Sequence, residues 1–94
     1  MERRGRGVSL DGLQSRDWRY RIVEDSCTDV TVVITADGWE ESRSLSYWFE
    51  ANRNKKVRCV FSEGSILHLC AVGIAVHESG HWSETVMKMR VPMS

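Results

Sequence analysis

Residues 30–35, VTVVIT, form an unbroken run of β-branched side chains, and this run constrains the fold more than any other stretch. Two heavy atoms on each Cβ restrict χ1 in a helix but pack well on a pleated surface, so a strand is predicted at Val30–Thr35. Just upstream, Trp18, Tyr20 and Ile22 alternate with Arg19 and Arg21, the period-two pattern of a half-exposed strand. Ala36-Asp37-Gly38-Trp39 follows the run, and Asp-Gly predicts a hairpin because a type I′ turn needs positive φ at both central positions.

The next segment, ESRSLSYWFEANRNKK, reads two ways. Acids at its start and lysines at its end suit a helix dipole. Leu45, Tyr47, Phe49 and Ala51 alternate with Ser44, Ser46 and Glu50, which suits a strand. A hairpin with Lys56–Phe61 would set Ala51 against Val57, Phe49 against Cys59, Tyr47 against Phe61 and Glu50 against Arg58. That register matches apolar with apolar and charge with counter-charge, so the hairpin is the expectation.

These signals predict a small all-β domain, an antiparallel sandwich or open barrel of about six strands in successive hairpins. The alternative is an α+β fold with Trp39 to Asn52 or Ile66 to Ser79 helical. Residues 1–16 are rich in arginine and glycine without sustained periodicity, which reads as a flexible basic arm before a single β-rich domain at 17–94. Thirteen basic and thirteen acidic residues cancel, so no global field favours nucleic acid or an anionic membrane. The longest uncharged stretch, residues 65–76, is too short to span a bilayer. No apolar run follows the initial MERRGRG as a secretory leader would require, and Cys27, Cys59 and Cys70 form no CxxC pair. Reduced thiols and an intracellular setting are expected, cytoplasmic or, for a viral chain, in the host cytoplasm or nucleus.

Val76-His77-Glu78-Ser79-Gly80-His81 contains the one enzyme-like pattern. On a helix, His77 and His81 would share a face and hold one zinc, with Glu78 polarising its bound water. HESGH resembles the HExxH motif of zinc metallopeptidases, in the HExGH form of membrane-anchored AAA proteases and several neutral metallopeptidases. The resemblance covers five residues and the uncharged lead-in GIAV. It implies a zinc cofactor, His77 and His81 as ligands and Glu78 as the catalytic residue. Those families add a remote third ligand, and only Glu84 follows His81. A hairpin competes with the helix: a two-residue turn at Ser79-Gly80 would pair Val76 with Ser83, Ile74 with Thr85, Val72 with Met87 and Cys70 with Met89, apolar face to apolar face. The turn is the preferred reading. His68 is expected at a core or edge position, and nothing in the spacing of Cys59, His68 and Cys70 requires a metal site.

A non-enzymatic regulatory or binding protein is therefore expected, engaging a protein partner through a sheet surface, with a second copy of the chain among the candidate partners. Viral and phage modulators and inhibitors have this character. The alternative partner is RNA or another single-stranded nucleic acid, held by aromatic platforms beside cations. The candidate contacts are Trp18, Arg19 and Arg21, and Trp48 with Arg53, Lys55, Lys56 and Arg58. The second alternative is the zinc peptidase.

Overall fold

The computed structural model describes residues 2–24, 29–73, 76–78 and 84–90, with the backbone alone for 76–78, 84–87 and 90. The described elements run β1 (Glu2–Leu10), β2 (Leu13–Glu24), β3 (Val30–Asp37), α1 (Trp39–Ala51), β4 (Lys56–Phe61), β5 (Ile66–Cys70), β6 (Val76–Glu78) and β7 (Glu84–Arg90). The strands form one antiparallel sheet in the order β3-β2-β1-β4-β5-β7-β6, and β3 also pairs with β7. That last ladder, from Thr31↔Arg90 to Asp37↔Glu84, rolls the sheet into a nearly closed barrel. β5 reaches β7 at one pair, Cys70↔Arg90, and β6 continues along the same edge of β7. Closure is partial among the described residues: β1 pairs with β4 only at Val8–Leu10, and β5 with β7 only at Cys70.

Alternation along the strands fills the barrel. Trp18, Tyr20 and Ile22 point inward from β2, Val32, Ile34 and Ala36 from β3, and Val57, Cys59 and Phe61 from β4. Val8 and Leu10 of β1, Leu69 of β5 and Met89 of β7 complete the strand contribution. This core is the mostly β, barrel-like domain that the patterning predicts.

The connection from β3 to β4 is a helix rather than a strand. Gly38 takes φ 90°, ψ 151°, a left-handed φ that turns the chain out of β3. The Ser42 amide then donates to the Gly38 carbonyl at 3.0 Å, and the buried Ser42 hydroxyl donates to the Ala36 carbonyl at 3.1 Å. Glu40 and Glu41 occupy the first turn, where the macrodipole favours acids. Leu45, Trp48 and Phe49 enter the core. At the other end, Asn52 closes the helix on the Trp48 and Phe49 carbonyls.

Three expectations change. Trp39–Ala51 is helical, as in the α+β alternative, and the hairpin between Tyr47 and Phe61 does not form; β4 pairs with β1 and β5 instead. Asp37-Gly38 is a strand-to-helix junction, not a hairpin turn. The strand reading of residues 66–79 holds at Ile66–Cys70 and Val76–Glu78, and the helical alternative does not form there. Residues 2–16, read as a flexible arm, form β1 and the start of β2. β1 contacts β4 by the pairs Val8↔Phe61 to Leu10↔Cys59 and β2 along nearly its whole length. Tertiary pairing thus orders a segment whose own composition carries little strand signal.

Candidate functional site

The predicted contact residues separate into core and surface. Trp18 is 2% exposed, and its indole N–H donates to Glu41 Oε2 at 2.8 Å. Trp48 is 6% exposed, and its indole N–H donates to the Asp11 carbonyl at 2.6 Å. Both rings are packing residues that tie α1 to the β1–β2 hairpin. They are not surface platforms, so the aromatic half of the nucleic-acid expectation does not stand on them.

The cations around them are exposed but do not form one patch. Arg19 and Arg21 project from the outer face of β2, and Arg19 pairs with Asp37 at 2.6 Å. Arg53 pairs with Glu50 at 2.6 Å and lies over the Phe49 ring at 5.0 Å. Lys55 and Lys56 lead into β4, and Arg58 stands on the outer face of that strand opposite His68. Arg4 faces Arg21, whereas Leu10 faces Cys59. At about 3.3 Å per residue, those two rows lie about 20 Å apart along β1.

His77 and Glu78 lie in β6, paired with Thr85 and Glu84. This stretch is extended backbone at Val76–Glu78, so it does not build the helical turn that the zinc reading requires. His81 and the Ser79-Gly80 turn lie outside the described residues. The register Val76↔Val86 differs by three positions from the predicted pairing of Val76 with Ser83. His68 is exposed on β5 rather than in the core. Cys59 points into the barrel from the strand neighbouring His68, and the two side chains face opposite sides of the sheet. No group of three or more metal-ligating side chains occurs among the described residues.

Cys59 is fully buried, with Sγ 4.0 Å from Met89 Sδ. Burial, with the Asp11 charge adding to it, pushes its thiol from 9.0 up to about 12. A thiol held protonated in this way is a packing group, not a nucleophile.

The outward face of α1 carries a feature that the strand reading concealed. Trp39 is 50% exposed and Tyr47 65% exposed. Between them, the Arg43 guanidinium lies 4.5 Å from the Trp39 ring centroid and 5.6 Å from that of Tyr47. Arg43 Nη2 also donates to Tyr47 Oη at 3.0 Å. The spacing i, i+4, i+8 puts the three on one stripe, and that spacing was the available sequence signal. Leu45, Trp48 and Phe49 bury the opposite side, so the stripe is not needed to fill the core.

No helix among the described residues is long and apolar enough to cross a membrane. Comparison with known proteins finds no matching family model, no matching curated protein and no matching solved structure.

Proposed function

We propose that this chain is a non-catalytic binding protein that recognises a protein partner, with the outward face of α1 as its contact. The observation that carries this reading is the exposed Trp39–Arg43–Tyr47 stack. Trp, Tyr and Arg are the residues in which binding energy concentrates at protein interfaces. Mutual stacking and the Arg43–Tyr47 hydrogen bond hold the three in place before contact, which lowers the ordering cost of association. The expected contact surface therefore moves from the sheet to the helix.

The test is affinity capture with the tagged protein from its native cells, with a Trp39→Ala/Tyr47→Ala variant alongside. The reading expects a protein retained by the wild type and lost from the variant, with matching circular dichroism spectra. Retention by both would remove α1 as the contact. Light scattering across a concentration series identifies a second copy of the chain as the partner if the wild type dimerises and the variant does not.

A further inference from the structure

We infer that the outer face of the β1–β2 hairpin is a second site, one that takes a short acidic segment of a protein in extended conformation. The inference rests on the reading that the partner is a protein, and it names a chemistry for part of it. Arg4 stands directly opposite Arg21, and Arg6 directly opposite Arg19. All four side chains are exposed, and they border a groove of about 590 Å³ beside Val33 and Thr35 of β3. Lys88 of β7 extends the first row, since Arg21 faces Val33 and Val33 faces Lys88.

Like charges directly opposite on an antiparallel pair oppose folding, and this hairpin carries two such pairs in succession. Among the described residues, acids relieve them only at the margins. Glu2 binds Arg4 at 2.6 Å, Asp17 binds Arg6 at 3.4 Å and Asp37 binds Arg19 at 2.6 Å. Arg21, in the middle, has no ion pair among the described residues. The hydrogen bond from Arg4 holds the Glu2 carboxyl below its ordinary pKa, and the charges of Arg4 and Arg21 act in the same direction. An anion seated between the rows would complete what these marginal acids begin.

The same acids decide which anion fits. Glu2 lies beyond one end of the array, and Asp17 and Asp37 lie beyond the other. A long polyphosphate chain following the strands would run past the arginines into these carboxylates. A segment with two or three carboxylates would not. Alternate residues of an extended peptide project on one face about 6.6 Å apart, the same step that separates Arg4 from Arg6 and Arg19 from Arg21. The guanidinium fork suits carboxylates, and among the described residues the groove offers no exposed aromatic ring for base stacking.

The test is an NMR titration of the whole chain at low ionic strength with a synthetic Ser-Glu-Ser-Glu-Ser-Glu peptide. Its glutamine counterpart and a single-stranded oligothymidylate serve as comparators. Saturable shifts confined to residues 4–6 and 19–21 are expected with the glutamate peptide alone. Arg21→Gln should weaken binding about tenfold without lowering the melting temperature. Lys55→Gln/Lys56→Gln and Trp39→Ala/Tyr47→Ala should leave peptide binding unchanged, so failure at α1 and failure here are told apart. Three results would overturn the inference: no saturable shift at millimolar peptide, equal weakening by the Lys55/Lys56 variant, or tighter binding of the oligonucleotide.

Discussion

The Tyr20 ring occupies the space that a side chain at Gly5 would need. The two residues are direct partners across β1 and β2, and a Cβ at position 5 would stand 2.6 Å from Tyr20 Cζ. Tyr20 cannot easily yield, because its ring also packs against Phe61 with centroids 4.7 Å apart. Gly5→Ala should therefore destabilise the fold by about 1–3 kcal/mol, the usual range for overpacking. Urea unfolding gives the value. A clearly smaller loss in a Tyr20→Leu background would tie the cost to this pair.

Deleting residues 1–10 should abolish cooperative unfolding. β1 supplies Val8 and Leu10 to the core and joins β2 to β4. It also places Arg3 between Glu24 and Glu63, each at 3.1 Å. A truncated chain with a wild-type melting curve would restore the flexible-arm reading.

Trp18 and Trp39 should respond very unequally to truncation. Trp18→Ala removes a fully enclosed indole and should cost about 3–5 kcal/mol. Trp39→Ala removes a half-exposed ring and should cost less than about 1 kcal/mol. Thermal melts of the two variants check this contrast, and comparable losses would contradict the assignment of Trp39 to a binding surface.

Cys59 should make the fold sensitive to alkali. The folded chain keeps this proton up to about 12, whereas the unfolded chain releases it near 9.0. Its contribution is thus intact below about pH 9 and declines as pH rises towards about 12, by about 1.4 kcal/mol per unit. Urea midpoints at about pH 8 and about pH 10.5 should diverge less in Cys59→Val than in the wild type. In the native protein, an alkylating reagent should modify the partly exposed Cys70 well before Cys59.

The strands with clean alternation were legible in the sequence: Trp18-Tyr20-Ile22, the β-branched run at Val30–Thr35, and Val57-Cys59-Phe61. β1 was not, because the strand meets the interior with Arg3, Gly5 and Gly7 before Val8. Gly5 lacks a side chain since Tyr20, fifteen positions later, fills its place, and no local pattern reports that contact. Helix α1 was misread because Leu45 and Phe49 satisfy both periods. Tyr47 and Ala51, which the strand reading buried, are exposed, whereas Ser42, Leu45, Trp48 and Phe49 share the helical buried face. Misplacing that helix made Trp18 and Trp48 contact residues and hid the Trp39–Arg43–Tyr47 stripe.

The most direct measurement of the central claim is photo-crosslinking from two positions. A photoreactive amino acid replaces Ala51, exposed one helical turn beyond Tyr47 and outside the stack, in one protein. In the other it replaces Ile66, which is 49% exposed on β5. The account predicts that one partner protein crosslinks from position 51 and not from position 66. Crosslinks to that partner from position 66, with none from position 51, would contradict it.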